Sequence, residues 1–170
     1  MNGVLARWNT LPFGDAVEEL LPCCGSKAWA RGMALRRPVR DETALLAAGD
    51  GLWRRLPACD WMEAFRSHPR IGESPALASA SQRSEAWSRT EQQEVSAAEE
   101  EVKRALAEAN RIYEKRFNRI FIVCATGKSG PEILEILRRR LKNDDNTELH
   151  ETAEQQRQIM RIRLTKWLSS

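Results

Sequence analysis

Helical periodicity constrains the fold of this chain more than any other feature of its sequence. From Ser88 to Lys115, apolar residues recur at spacings of three and four, and the opposite face is rich in Glu, Lys and Arg. A continuous helix over this stretch would span about 40 Å. Residues 120–123 form a β-like apolar run that has no partner strand elsewhere in the sequence. We therefore predict an all-α, single-domain helical bundle over residues 1–170, with a long central helix and one short buried extended segment.

Capping and stop signals predict the remaining helices. These are Asp15–Leu21, closed by Pro22 and Gly25; a helix capped by Ser26 that runs through Leu35; a helix capped by Asp41, which Gly49-Asp50-Gly51 could divide into two pieces; a short helix from its cap Asp60 to Arg66; a helix opened by the capping box of Ser129 and Glu132; and a last helix from about Thr147 to Leu168. The Ser- and Ala-rich residues 74–87 are predicted to form a mobile connection.

Composition excludes several classes of protein. Of 170 residues, 42% are hydrophobic and 30% are charged, which is typical of a globular chain. The net charge of +3 gives no case for nucleic-acid binding. No apolar run approaches the ~20 residues of a membrane span, and the N-terminus has no apolar signal core, so we expect a cytoplasmic protein. The four cysteines have no metal-ligand spacing and are expected to be reduced thiols, with Cys124 a packing residue.

The stretch Ser67-His68-Pro69-Arg70-Ile71-Gly72-Glu73 contains one of only two histidines. A short helix runs into it, and Pro69 prevents that helix from continuing. His68 is therefore expected at a helix end with its ring facing a cleft, where it could transfer protons near neutral pH. The alternative is an ordinary histidine of a surface loop. The other histidine, His150, is expected to be solvated.

Three further candidates each have a structural alternative. Ser88-x-x-Glu91 has the pattern of a capping box, although a helix N-terminus can also bind anions. Arg157, Arg161 and Arg163 flank the apolar stripe of the last helix, and periodicity does not choose among them; such arginines usually extend to solvent. The backbone groups of the buried extended segment need hydrogen-bond partners, which a ligand or neighbouring side chains could supply.

Several motifs in a fixed order resemble one enzyme family. After Ser67–Glu73 come Ser88-Arg-Thr-Glu91-Gln92, then Phe117–Ser129, then Arg138-Arg-Arg-Leu141-Lys-Asn143, and finally Ile159-Met-Arg-Ile-Arg163-Leu164. In that order they resemble the OHCU decarboxylases of urate breakdown, where OHCU is 2-oxo-4-hydroxy-4-carboxy-5-ureidoimidazoline. The resemblance extends through nearly the whole chain, including Asn9-Thr-Leu-Pro and Cys23-Cys24-Gly25-Ser26.

The resemblance implies a decarboxylase that converts OHCU to (S)-allantoin and carbon dioxide without a cofactor or a metal. It implies catalytic roles for His68, Glu91 and Arg163; the arginine directly before leucine selects Arg163. It implies substrate contacts by Pro69, Ser88, Gln92 and the segment Phe121, Ile122, Val123, Cys124 and Ala125. The expected partner is the small-molecule substrate, with no nucleic acid and no membrane, and a homodimer is left open.

Two non-catalytic alternatives remain at this point. A helical protein-interaction module would lack a ligand cleft and would tolerate the loss of His68. A small nucleic-acid binder would use Arg138, Arg139, Arg140 and Lys142. Acidic neighbours balance these basic residues, namely Glu132, Glu135, Asp144 and Asp145, so a solvated helix is the favoured interpretation.

Overall fold

The computed structural model describes residues 2–71 and 100–170. Within these ranges the chain forms eight α-helices and no β-strand, so the all-α prediction is confirmed for the part described. The helices are α1 (Gly3–Thr10), α2 (Phe13–Cys24), α3 (Lys27–Ala34), α4 (Glu42–Trp53), α5 (Ala58–Arg66), α6 (Glu100–Phe117), α7 (Gly130–Arg140) and α8 (Asp145–Leu168). Over the same two ranges, no helix combines the length and the apolar character that a membrane crossing requires.

Part of what the sequence predicts lies outside the described residues. This holds for the connection 74–87, for the first part of the predicted central helix, and for Gly72, Glu73, Ser88, Glu91 and Gln92. Helix α6 covers the second part of that central helix and ends at Phe117.

Side-chain caps define several helix starts as predicted. The side chains of Ser26 and Asp41 each accept a hydrogen bond from a backbone N–H three residues further on, at 3.2 Å and 2.8 Å. At α7 both bonds of the capping box are present: the Ser129 N–H donates to the Glu132 carboxylate at 2.7 Å, and the Ser129 hydroxyl accepts from the Glu132 N–H at 3.5 Å. These bonds satisfy donors that the first turn of a helix cannot pair internally.

Three predicted boundaries were wrong. Helix α2 begins at Phe13, two residues before the predicted start, and it continues through Pro22 to Cys24. A proline in the last turn removes only one N–H donor. Of the two predicted stop residues, Gly25 is the one that ends the helix, and its φ of 83° is the left-handed conformation that glycine adopts easily. Helix α5 begins at Ala58, so Asp60 lies in its first turn and is not the cap. The carbonyl of Pro57 accepts hydrogen bonds from the N–H groups of Asp60 and Trp61, which starts the helix earlier.

The helices form two compact units. The first comprises Met1–Ala64 and Arg157–Ser170, and the second comprises the described residues of Phe65–Gln156. The prediction of a single domain stays a prediction.

Tryptophan side chains dominate the core of the first unit. Trp8, Trp29, Trp53 and Trp167 are all buried. Three of their indole N–H groups reach acceptors inside the unit. The Trp8 N–H donates to the Ala16 carbonyl at 2.9 Å, and the Trp29 N–H donates to the Gly49 carbonyl at 3.1 Å. The Trp167 N–H donates to the Glu19 carboxylate at 3.0 Å. The indoles therefore bury large apolar surfaces without leaving these polar atoms unsatisfied.

Helix α4 is continuous from Glu42 to Trp53, so Gly49-Asp50-Gly51 does not divide it into two pieces. A Cβ atom at Gly49 would lie 3.3 Å from Leu164 Cδ1 and 3.4 Å from Trp29 Cζ2. Gly49 therefore serves close packing between helices and does not interrupt α4.

Helices α6 and α7 pack around the predicted extended segment in the second unit. Phe121 to Ala125, which we call the buried segment, has neither helical nor strand structure, and all five residues are buried. The buried core of this unit consists of Ile71, Leu106, Ala109, Tyr113, Phe117, Phe121, Val123, Ala125, Ile133, Leu134 and Leu137. Leu106, Ala109 and Tyr113 belong to the apolar face that periodicity predicts for the central helix.

A fully buried ion pair lies in this unit. Arg140 and Glu148 both have 0% side-chain exposure, so the prediction that the Arg138–Arg140 run is solvated was wrong for Arg140. Arg140 donates to Glu148 Oε1 from Nε at 2.9 Å and from Nη2 at 2.6 Å, and to the Thr152 hydroxyl at 2.8 Å. The Tyr113 hydroxyl donates to the same Glu148 oxygen at 2.5 Å. The charge of each partner is thus neutralised where water cannot reach it.

Burial in this network raises the pKa of Tyr113 to about 12. Desolvation is the largest cause, because a phenolate loses its hydration in the core. The positive charge of Arg140 acts in the opposite direction, while donation to Glu148 adds to the rise. The neutral phenol is therefore more favoured in the folded chain than in the unfolded one.

Alkaline titration can test this directly, because Tyr113 is the only tyrosine of the chain. The tyrosinate absorbance band of the folded protein should appear near pH 12, and in denaturant near pH 10. The contribution of Tyr113 to stability is full below pH 10 and is lost as the pH rises through 12, because only the unfolded chain releases the proton in that window. The complete loss corresponds to about 3 kcal/mol.

Urea unfolding of the wild type and of Tyr113→Phe at several alkaline pH values measures the loss. The phenylalanine variant should lack this part of the alkaline decrease in the free energy of unfolding. Titration of the folded wild type near pH 10 would contradict the buried network.

Candidate active site

The structure places His68 directly after α5. The helix ends at Arg66, and the backbone N–H of His68 donates to the Phe65 carbonyl at 3.2 Å, which forms a turn before Pro69. His68 is half-buried, and its Nε2 atom is shielded from solvent. This environment differs from that of a freely exposed loop histidine. His150, by contrast, is exposed as predicted.

Helix α6 anchors the stretch Ser67–Ile71, which we call the histidine loop. Arg70 forms a bidentate ion pair with Glu114: Nε lies 2.5 Å from Oε1 and Nη2 lies 2.9 Å from Oε2. The side-chain amide of Asn110 donates to the Ile71 carbonyl at 2.9 Å. Ile71 itself is 7% exposed and belongs to the core of the second unit. A bidentate ion pair, one amide hydrogen bond and one apolar contact therefore fix the loop that carries His68.

Sequence reasoning missed both anchors on α6. Asn110 and Glu114 are four residues apart, so they lie on the same side of the helix. Asn110 is 3% exposed, among apolar neighbours. An uncharged polar residue inside an apolar helix face was the signal that could have identified it, because buried amides need partners.

The buried segment has protein partners for several of its backbone groups. The carbonyl of Ile122 accepts from Arg140 Nη1 at 2.6 Å, and the N–H of Cys124 donates to Gln155 Oε1 at 2.9 Å. The carbonyl of Cys124 accepts from Lys128 Nζ at 2.7 Å. Side chains thus satisfy these three groups, as one of the two sequence alternatives expected. A carbonyl oxygen has two lone pairs, so those of Ile122 and Cys124 can still accept a second hydrogen bond.

The aromatic ring of Phe121 is fixed from two sides. The guanidinium carbon of Arg140 lies 4.7 Å from the ring centroid. The ring of Tyr113 meets it edge to face, at a centroid distance of 5.3 Å and an interplanar angle of 73°. The segment therefore presents its backbone in one defined geometry.

Arg163 is fully buried, although sequence reasoning expected an arginine beside an apolar stripe to reach solvent. Its Nη1 donates to the carbonyl of Pro22, in the last turn of α2, at 3.3 Å. Arg157 and Arg161 both pair with Asp50, at 3.0 Å and 2.6 Å. Burial thus distinguishes Arg163 from the other two arginines that periodicity could not separate.

The structure places some of the predicted site residues in the same unit. His68, Pro69 and the buried segment belong to the second unit, where the histidine loop and the buried segment share one apolar core through Ile71. Arg163 belongs to the first unit. The other predicted site residues, Ser88, Glu91 and Gln92, lie outside the described residues.

Cysteines and metal ligands add little to this site. The four cysteines, all in the described part of the chain, form no disulfide, and Cys124 is buried by packing as predicted. Across residues 2–71 and 100–170, no three His, Cys, Asp or Glu side chains are grouped as metal ligands would be. In the basic run at the end of α7, Arg139 pairs with Glu151 and Arg140 is buried, so the run is not a continuous cationic surface.

Comparisons with known proteins agree on one family. Residues 9–165 match the family model described as OHCU decarboxylase. The chain is 35% identical to the uric acid degradation bifunctional protein TTL of Arabidopsis thaliana; the match covers 89% of this chain and 47% of the relative, so the chain spans about half the length of that protein.

Solved structures show the same relationship. A crystal structure of an OHCU decarboxylase in the presence of (S)-allantoin is 30% identical, with a TM-score of 0.76 over 90% of this chain and 99% of that one. A crystal structure of (S)-allantoin synthase has a TM-score of 0.71 at 14% identity, covering 96% of this chain and 53% of that one, and shows likeness of fold. The resemblance seen in the motifs is thereby confirmed, and the chain belongs to the OHCU decarboxylase family, whose members are carboxy-lyases.

Proposed function

We propose that this chain decarboxylates OHCU to (S)-allantoin and carbon dioxide in the breakdown of urate. The observation that carries the proposal is the family match over residues 9–165, which includes every motif of the candidate site. The Arabidopsis relative, a uric acid degradation protein, supports the same pathway.

The substrate itself can accept the electrons of the reaction. OHCU carries a hydroxyl and a carboxylate on one ring carbon, next to a C=N bond. As the bond to the carboxylate carbon breaks, its electron pair can move into that neighbour, so no pyridoxal or thiamine group is required. The protein then has three tasks: to orient the carboxylate, to manage the hydroxyl proton, and to deliver one proton to a single face of the ring.

His68 is the proposed general acid and base. Its support is the fixed histidine loop, which the Arg70–Glu114 ion pair and the Asn110 amide hold against α6. Positioning of a titratable group is what makes proton transfer efficient. Glu91 would orient or charge His68, or would carry the proton itself.

The remaining site residues would bind the substrate. Arg163 would hold a polar or anionic group, since a guanidinium can donate two parallel hydrogen bonds to a carboxylate. Ser88, Gln92 and the backbone of the buried segment would recognise the ureido and ring amide edges, and Pro69 would shape the histidine loop.

The cytoplasm is the proposed compartment because thiols such as Cys59 persist there. Light scattering tests the homodimer that the resemblance leaves open.

One assay tests the proposal. OHCU is generated from urate with upstream enzymes, and the formation of allantoin is followed by circular dichroism. Spontaneous decay gives racemic allantoin, so an optical signal that depends on the protein supports the proposed reaction. A non-enzymatic interaction module would give no such signal, and that outcome would reject the proposal.

Replacement of His68 tests its role in proton transfer. His68→Asn should lower the rate by about 10²–10⁴-fold while the protein remains folded, because general acid–base assistance is worth that much. His150→Asn is the matched control, since it removes the other, exposed histidine and should keep the wild-type rate. An asparagine variant that retains more than about a tenth of the wild-type rate would exclude His68 as the proton-transfer group.

Replacement of Glu91 separates catalysis from helix capping. Glutamine is accepted in a capping box, so a purely structural Glu91→Gln should cost about 1 kcal/mol or less and almost nothing in rate. As the partner of His68, the carboxylate would favour the charged imidazolium and fix the tautomer of the ring. We therefore expect the rate to fall by about 10²-fold or more, and the acidic limb of the pH profile to move.

The observed capping box of α7 supplies a matched control for Glu91. Glu132→Gln changes the same residue type at the same box position, in a helix where both capping bonds are present. It should leave turnover and the pH profile unchanged. If Glu91→Gln behaves in the same way as this control, Glu91 is a helix cap and His68 acts without it.

Replacement of Arg163 distinguishes substrate binding from support of α2. Arg163→Lys keeps the positive charge and can still donate to the Pro22 carbonyl, but it loses bidentate geometry. If Arg163 binds the substrate, the KM of the Arg163→Lys variant should rise by about tenfold or more, in line with one lost charged hydrogen bond. Its stability should change little. Arg161→Lys, at a half-exposed arginine paired with Asp50, is the control. A lower melting temperature with an unchanged KM would assign Arg163 to the fold alone.

A further inference from the structure

Arg140 touches the buried segment as well as its ion-pair partner. Its guanidinium donates to Glu148 and Thr152 on one side and to the Ile122 carbonyl at 2.6 Å on the other. Its charged carbon lies 4.7 Å from the centre of the Phe121 ring. One side chain thus fixes both the backbone and a side chain at the start of the buried segment.

Glu148 is held from several directions, which fixes Arg140 in turn. Its Oε1 accepts from the Tyr113 hydroxyl and from Arg140, and its Oε2 accepts from the Asn143 amide at 2.8 Å. A guanidinium paired in this way has little freedom to rotate, so the hydrogen bond to Ile122 has a fixed direction.

Stability alone does not explain this arrangement. Buried ion pairs are often replaced by apolar residues of similar volume without loss of stability, because desolvation offsets their attraction. An apolar pair could fill the same space, but it could not donate to the Ile122 carbonyl. What the charged pair supplies beyond packing is the position of the buried segment.

We propose that Arg140 is a positioning residue for substrate binding, acting through the Ile122 carbonyl and the Phe121 ring. The inference rests on the proposed function, in which the backbone of the buried segment recognises the amide edges of OHCU. Arg140 does not touch the substrate in this scheme; it sets the direction of the groups that do. Its loss should therefore weaken binding more than it slows the chemical step.

A double variant separates this role from a structural one. Arg140→Met with Glu148→Met removes the buried pair together, so neither charge is left alone in the core. The variant should stay helical by circular dichroism and unfold cooperatively. In the allantoin assay, its KM should rise by about tenfold or more, while kcat changes by about threefold or less.

An exposed ion pair of the same unit provides the matched control. Arg111 and Glu108 pair on α6 at 2.7 Å, with side chains 69% and 62% exposed. Arg111→Met with Glu108→Met removes the same two charged groups at the surface, away from the Arg140 network. It should retain the wild-type KM and kcat.

Arg140→Lys keeps the inference testable if the double variant does not fold. The ammonium leaves Glu148 paired, but it cannot reproduce the several fixed donor directions of the guanidinium. A raised KM with nearly constant kcat supports the proposal. Folded variants with the wild-type KM, or a fall in melting temperature with no change in KM, would overturn it.

Failure of the inference and failure of the proposed function look different. If the wild type produces no optical signal from OHCU, the proposed function is rejected and the inference with it. If the wild type is active and the Arg140 variants bind OHCU equally well, only the positioning role is rejected.

Discussion

The ion pair between Arg140 and Glu148 fixes the irregular backbone at the core of the second unit. Both side chains are fully buried, and each also bonds to groups outside the pair. A buried charge without a partner is strongly destabilising, so neither residue can be lost alone without a large cost. The network links α7 and α8 to Tyr113 of α6 and to the carbonyl of Ile122. It thereby gives an irregular, fully buried stretch of backbone a defined conformation, which a purely apolar core would not specify.

Features that depend on local sequence were predictable, and those that depend on distant contacts were not. The caps Ser26, Asp41 and Ser129 follow from side chains that bond to the next turn of their own helix, and all three are present. Arg140 follows two other arginines in a basic run, so local reasoning placed it in solvent. Its burial depends on Glu148, eight residues away across a turn, and periodicity carries no information about such a contact.

The candidate site shows the same division. His68 could be selected from the sequence because a histidine beside a helix-stopping proline is conspicuous. The anchors of its loop could not be selected in the same way: Glu114 reaches Arg70 across 44 positions of the sequence, and Asn110 reaches Ile71 across 39. Arg163 was chosen by family resemblance alone, and its complete burial is a property of the folded chain. Chemistry-bearing residue types are visible in a sequence, whereas the contacts that orient them form only on folding.

In the proposed decarboxylation the substrate accepts its own electrons, which would make orientation the main contribution of the protein. Such a reaction needs one well-placed acid–base group and a rigid set of hydrogen-bond donors and acceptors, because free rotation of either would forfeit the entropic advantage of binding. The histidine loop and the buried segment both fit this requirement. Each is irregular backbone that helical side chains hold by charged hydrogen bonds, Arg70 with Glu114 in one case and Arg140 with Ile122 in the other. Irregular backbone can point polar groups in directions that a helix cannot, but it stays in place only if other elements satisfy its remaining hydrogen bonds. In the proposed reaction, the surrounding helices would therefore contribute to the chemistry by fixing these two stretches, even where their own side chains do not contact the substrate.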